Sequence, residues 1–404
     1  MSKLYSTYPN FRGFALFSAL SGVGRGMFAM FMMWAVHAMY HNPVYTGLAG
    51  FMFTAPLAVS FLVGPFVDKW RKVTILQVAT VVKLCTVLLI LAAHMYLAAG
   101  IWFYLAAILI FSIAGLFSAP AATALLPHMV DSENLAKANA TINILGVLGG
   151  LGVGVALYRL LQQGVDFALI YGVNGGILAL ALLCALILQR DATRSPGGKT
   201  YFADLAKGFA FVKKGVMLPV VFFLSGMTFF SQSAYVNLPM FAELHLGTAS
   251  GYILLSALAL VGGLVGSWVI GNFSQKFDVG KLLIMLFILA GIARILFVNR
   301  IPDNLTRGIL LYIVYVGLGS AIGILHRVLV QKIPPKDLIS RVDTSIISLS
   351  SIAGAVGALF GGFLASHVAH VDIIFYIQGG SYIAIGALLF LSKSIRTLPK
   401  ISAL

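Results

Sequence analysis

The chain has 404 residues, of which 60% are apolar and only 10% charged, with 42 Gly and a mean hydropathy of +0.98. That composition excludes an ordinary soluble domain and fits a polytopic membrane protein. The formal net charge of +15 does not point to nucleic acid, because most basic residues sit in alternate loops between apolar runs.

In chain order, apolar runs broken by charge, Gly or Pro predict twelve spans: 13–38, 46–66, 73–95, 101–126, 135–158, 166–189, 217–241, 250–273, 281–299, 309–330, 343–366 and 373–392. Crossing a hydrocarbon layer of ~30 Å takes about 20 residues of helix. Lipid satisfies no backbone group and no period of two is present, so each span is read as helical. The expected fold class is therefore all-α, with an N-terminal six-helix bundle (1–190), a cytoplasmic linker (191–215) and a C-terminal six-helix bundle (216–404). Cys85 and Cys184 fall inside apolar runs and read as packing residues, with no disulfide or metal framework.

Of the 27 Lys and Arg, 21 fall in the N-terminus, the even-to-odd loops with their adjoining span ends, and the C-terminus. Arg159, Arg300 and Arg307 lie on the other side, and Arg25, Lys83 and Arg294 lie deep within spans. The positive-inside bias predicts that both termini are cytoplasmic. The polar interval from Gln189 to Gly215 carries six Lys/Arg and the breaker Ser195-Pro196-Gly197-Gly198. Its second part, 201–214, is predicted to form an amphipathic helix on the inner membrane face, with Phe202, Leu205, Phe209 and Val212 on one side.

The halves repeat. "GPFVDKWRKVTIL" from Gly64 aligns with "GNFSQKFDVGKLL" from Gly271, pairing Lys69 with Lys276 and Trp70 with Phe277. "ENLAKANATI" from Glu133 aligns with "DLISRVDTSI" from Asp337. Such a duplication of a six-helix unit is a common plan of secondary transporters.

The run Gly64-Pro65-Phe66-Val67-Asp68-Lys69-Trp70-Arg71-Lys72 resembles the signature loop of the major facilitator superfamily, G-x-x-x-D-(K/R)-x-x-(R/K), and with twelve spans split six and six the resemblance covers the whole chain. Stretches from Asn10, Phe117 and Gly354 resemble its bacterial exporter branch, which includes macrolide-type drug efflux proteins, siderophore exporters and the lysophospholipid transporter. The resemblance implies alternating access, a location in the bacterial inner membrane, and a gating role for the loop residues Gly64, Asp68, Lys69, Arg71 and Lys72. It also departs from the pattern. Gly24-Arg25 stands where many members carry Asp, span 4 lacks the arginine of proton-coupled drug exporters, and span 5 lacks the Pro of the antiporter signature.

Candidate site residues follow from depth and chemistry. Arg25 lies roughly 18 Å along span 1 and Lys83 roughly 15 Å along span 3, at ~1.5 Å per residue. A basic group at helix centre costs at least ~2.5–3.5 kcal/mol and must face protein, water or a partner. No Asp or Glu lies deep in any span. Lys83 and Arg294 read first as packing residues tied to a neighbouring helix. Arg25, flanked by Ser21, Gly22, Gly24 and Gly26 on a span that the resemblance places along the central cavity, is a candidate for a phosphate or carboxylate of the substrate. Further substrate-binding candidates are Met30 and Trp34 in span 1, with Ser225, Gln232, Tyr235 and Asn237 in span 7, where Pro239 marks a break. His326 and Asp343 are the proton-coupling candidates.

The functional expectation is a secondary transporter that exports or flips an amphipathic small molecule, with an anionic one favoured by the midplane cations. Its partners are that substrate and the lipid bilayer, with protons as a coupling ion left open; no nucleic acid, cofactor or metal is expected, and the chain is read as a monomer. A proton-antiporting multidrug or macrolide efflux pump is the second reading, and a non-transporting sensor or scaffold is the third. No acid–base pair, activated nucleophile or metal spacing marks an enzyme.

Overall fold

The computed structural model describes residues 7–97, 99–188, 201–213, 215–247, 249–335 and 338–401. Among them, twelve helices are long and apolar enough to cross a membrane: Pro9–Tyr40, Pro43–Leu62, Lys72–Tyr96, Ile101–His128, Lys137–Gln162, Phe167–Ile187, Met217–Tyr235, Ser250–Lys276, Val279–Arg300, Leu305–Lys332, Ile339–Ala365 and Asp372–Leu391, numbered here as spans 1 to 12. The protein is all-α.

Where the spans start follows local chemistry. Asn42 caps span 2, accepting from the Val44 N–H at 2.9 Å, with Pro43 in the first turn, where its missing N–H costs nothing. Asp166 caps span 6 through Ala168 N–H at 3.1 Å, and Asn304 caps span 10 through Arg307 N–H at 3.0 Å. Span 7 is shorter than the predicted 217–241. It stops at Tyr235, and a second helix, Leu238–Leu246, begins with Pro239 in its first turn.

Contacts divide the chain into a unit of Met1–Ala38 with Leu62–Lys199 and a unit of Met39–Phe61 with Thr200–Leu404. This departs from the division at 190 and 216, because span 2 packs with the C-terminal helices. The cause is a missing pair of side chains: a Cβ on Gly47 would lie 2.9 Å from both the Ala358 carbonyl and Gly362 Cα, so spans 2 and 11 touch backbone to backbone. Lower on the same seam Ser60 Oγ lies 3.4 Å from Ser348 Oγ.

The first unit packs Phe11, Phe14 and Phe17 of span 1 against Val73 and Leu76 of span 3, Leu125 of span 4 and Ala185 of span 6. Near the start of span 1 Tyr8 donates to Asp131, and Asn134 Nδ2 donates to the Tyr8 hydroxyl at 3.3 Å. The second unit centres on span 9, where Leu282, Leu286 and Ala290 pack with Leu325 of span 10 and Tyr382 and Leu389 of span 12.

The predicted amphipathic segment is a helix, Tyr201–Val212. Val212 is buried and Phe209 half-buried, while the side chains of Phe202 and Leu205 lie outside the described residues, as do residues 189–200. Gly208 brings this helix onto span 11: a Cβ there would fall 2.7 Å from the Arg341 carbonyl oxygen.

The sequence repeat has a backbone counterpart. Trp70 (φ −102, ψ 156) and Phe277 (φ −116, ψ 154) are both extended, and each is followed by a residue of nearly equal conformation, Arg71 (−65, 123) and Asp278 (−66, 129), that starts the next span. Aligned residues of the two halves thus make the same turn.

Candidate functional site

Gly22, Arg25 and Gly26 fall on one stripe of span 1 by helical spacing. A Cβ on Gly22 or Gly26 would meet nothing within 4 Å, and the Arg25 side chain is exposed. Gly24 points the other way. Its Cβ would lie 2.8 Å from Leu178, and its carbonyl accepts from Asn174 Nδ2 at 2.9 Å, so spans 1 and 6 are closely joined there. Among the described residues Arg25 has no hydrogen-bonding or ion-pairing partner.

Lys83 is only 2% exposed. Its Nζ donates to Ser118 Oγ of span 4 at 2.9 Å, and that hydroxyl in turn donates to the Gly115 carbonyl at 3.2 Å. The ammonium stands 5.8 Å from the centre of the Phe111 ring, which stacks at 3.8 Å on Phe28 of span 1. Arg25 stands one helical turn before that Phe28, so the turn of span 1 that carries it meets the same ring as the ammonium.

Arg294 meets burial differently. Its guanidinium lies 4.5 Å from the ring centre of Phe375, 4.6 Å from Tyr315 and 5.2 Å from Phe297. Three desolvated ring faces, at about 2 kcal/mol each, exceed the insertion cost of a basic group. For Lys83, one neutral acceptor at about 1.5–3 kcal/mol and a single ring near the ~6 Å limit only match that cost before the repulsion from Arg25 is counted. The two buried cations are therefore held differently: three rings enclose Arg294, whose Nε and Nη1 have no hydrogen-bond partner among the described residues, whereas Lys83 has one hydroxyl and one ring and no negative charge beside it.

The span 7 candidates also separate. Asn237 is buried, and its amide donates to two main-chain carbonyls, Ser233 at 2.8 Å and Gly361 at 2.9 Å, while its Oδ1 has no hydrogen-bond partner among the described residues. Tyr235 is exposed, and Ser225 and Gln232 are half-buried, with Gln232 beside Gly354. In span 1, Met30 is half-buried, whereas Trp34 is buried with its ring 5.6 Å from that of His37.

His326 lines a small apolar cavity of about 20 Å³ with Phe223, Leu283 and Phe287, and its Nε2 has no hydrogen-bond partner. Asp343 is exposed. Of the gating-loop residues, Gly64 to Lys69 form a short helix, Lys69 and Arg71 are exposed and Lys72 is buried. The side chain of Asp68 lies outside the described residues.

Two features escaped sequence reasoning. One is the Phe28–Phe111 stack that joins the Arg25 turn to the Lys83 ammonium; nothing in an apolar run says which aromatic residues face each other. The other is an apolar groove of about 450 Å³ between spans 3 and 4, lined by Phe66 and Trp70 of the loop and by Val78, Val82, Ile110 and Phe117.

Comparison with known proteins agrees with this architecture. The chain is 24% identical over 403 residues to the enterobactin exporter EntS of Salmonella choleraesuis (strain SC-B67), covering 96% of this chain and 93% of that protein. It is 24% identical over 348 residues to a multi-drug resistance efflux pump PmrA homolog of Lactococcus lactis subsp. lactis (strain IL1403), covering 81% and 80%. In fold it is similar to a mutant of the nucleoside transporter NupG (TM-score 0.78, 14% identity, 95% of this chain and 99% of that one) and to a D-xylose-proton symporter (TM-score 0.71, 13% identity, 98% of each). The sequence profile of the Major Facilitator Superfamily matches residues 14–342, and this chain is a member of that superfamily of membrane transporters.

Proposed function

We propose that this transporter exports, or flips across the bacterial inner membrane with both of its termini cytoplasmic, an amphipathic organic molecule that carries an anionic group, working as a monomer by alternating access. The observation that carries the reading is Arg25. An arginine deep in a span, exposed, bare of any protein partner among the described residues and flanked by two glycines facing open space, is a donor set without an acceptor. A guanidinium presents paired N–H groups that match a phosphate or carboxylate. Two relatives named as exporters, one of enterobactin and one of multiple drugs, support the direction of transport.

The test is counterflow in proteoliposomes loaded with lipophilic anions and, in parallel, with cationic dyes. Exchange of anions that is lost in Arg25→Gln is the expected result. Exchange of cationic dyes alone would remove the anionic clause and favour a second reading, proton-coupled multidrug efflux, which the exposed Asp343 would serve. That alternative requires dye efflux to collapse with the pH gradient.

A further inference from the structure

We propose that Lys83 and Arg25 together form the binding site for an oxyanion head group, of phosphate or carboxylate type, on a single-chain amphiphile. The inference rests on the transporter reading above and gives Lys83 a ligand-binding role within it.

An ammonium has three N–H donors. Ser118 takes one, and among the described residues it is the one hydrogen-bonding partner Lys83 has. Ser118 spends its own hydrogen on Gly115, so its oxygen offers lone pairs and no negative charge. Burial strips away water that would otherwise serve the other two donors. The turn of span 1 that carries Arg25 reaches the same Phe111 ring through Phe28, and a second cation there raises the cost further, since like charges repel more strongly the lower the local dielectric. Lys83 has a single ring beside it, at 5.8 Å, where Arg294 has three. An unpaired buried charge of this sort is strongly unfavourable, and an oxyanion between the two cations removes the repulsion and fills the empty donors together.

The surroundings suit such a ligand. Phe111, Gly115 and Ser118 share one face of span 4 by helical spacing, and Gly115, like Gly22 and Gly26, would place a Cβ in open space. Phe28 and Phe111 supply a stacked apolar wall beside the two cations, fit for the first methylenes of a chain. A head group with two charged oxygens would engage the fork of Arg25 and the point charge of Lys83 at once, which is how these two side chains differ in use.

The experiment uses the full chain in maltoside micelles, with unfolding temperature as the readout. The probes are dodecyl phosphate, dodecyltrimethylammonium and inorganic phosphate. Dodecyl phosphate is expected to stabilise the wild type, and dodecyltrimethylammonium is not. Lys83→Met is expected to weaken the dodecyl phosphate response roughly tenfold or more in concentration, the loss of one charge-assisted hydrogen bond. Without any probe, Lys83→Met should melt at or above the wild-type temperature, because it removes an uncompensated buried charge. A Lys83→Met protein that melts lower yet responds to dodecyl phosphate like the wild type overturns the proposal and makes Lys83 a structural strut to Ser118. If that variant cannot be purified, Arg25→Gln, changed at an exposed side chain, decides: loss of the dodecyl phosphate response supports the site, and a wild-type response overturns it. An equal response to inorganic phosphate assigns the site to a free anion in place of an amphiphile head group. Because binding is read without a membrane gradient, an intact dodecyl phosphate response with no counterflow would count against transport and leave the site standing.

Discussion

Asn237 donates an amide hydrogen to the Gly361 carbonyl at 2.9 Å, across the line where span 7 ends and span 11 passes it. Gly361 is there because nothing larger fits: a Cβ would lie 2.2 Å from the Ser233 carbonyl oxygen. The hydrogen bond and the close approach hold the same point, so both should be sensitive to substitution. Asn237→Ala is expected to lower stability by about 1–2 kcal/mol, the worth of an interhelical hydrogen bond in a membrane. Gly361→Val should be more severe, since the obstacle is backbone that cannot turn aside. Thermal unfolding in detergent measures both. An Asn237→Ala protein with wild-type stability but no substrate exchange would return Asn237 to the binding site.

Arg294 should behave as a packed aromatic-cage residue. Arg294→Met keeps most of the volume and gives up three cation–ring contacts together with a buried charge whose Nε and Nη1 lack partners, so the two losses offset and stability should change little. Arg294→Ala leaves a cavity among Phe297, Tyr315 and Phe375 and is expected to cost about 2–5 kcal/mol. Arg294→Lys should fall between the two, since an ammonium does not stack on three faces as a planar guanidinium does. Substrate exchange abolished in Arg294→Met at unchanged unfolding temperature would contradict this assignment.

Acid lability should have identifiable sources. The Asp166 carboxyl is held below the usual carboxylate range by the Ala168 N–H it caps and by His94, whose Nε2 lies 3.2 Å away; Asp278 is held down by Lys281 at 2.9 Å. A carboxyl whose folded value is depressed contributes stability that is complete above its unfolded value, near pH ~4, and is lost as pH falls through the folded value. Unfolding temperature measured from pH 6 downward should therefore drop below pH ~4 in the wild type and drop less in Asp166→Asn and Asp278→Asn. A steeper drop in those variants would reverse the sign and refute the argument.

The spans were legible because lipid imposes one rule, about 20 apolar residues in hydrogen-bonded helix, and the composition obeys it throughout. Span ends were not, since hydropathy is blind to caps such as Asn42 and Asn304 that start a helix among polar residues. Pro239 signalled the break after span 7, and the helix stops at Tyr235, short of the predicted 241. At the candidate site, the unusual residues could be read from their depth, but their partners could not. Lys83 reaches a hydroxyl on span 4, and which hydroxyl depends on how spans 3 and 4 are rotated, a matter settled by packing over their whole length. For Asn237 the sequence could not say that its amide hydrogens go to the main chain of Ser233 and Gly361, because a buried amide and a binding amide have the same letter.

Span 2 packs on span 11 through Gly47 and Gly362, residues far apart in the chain. During synthesis at about 5–20 residues per second, the earlier helix emerges many seconds before its partner has been made. For that interval the ribosome-bound nascent chain must carry a small-residue face with nothing to lie against, sheltered by lipid or by the insertion machinery. Biogenesis, more than the finished protein, is where a bulky side chain at Gly47 should first be felt, as degradation of chains that never close.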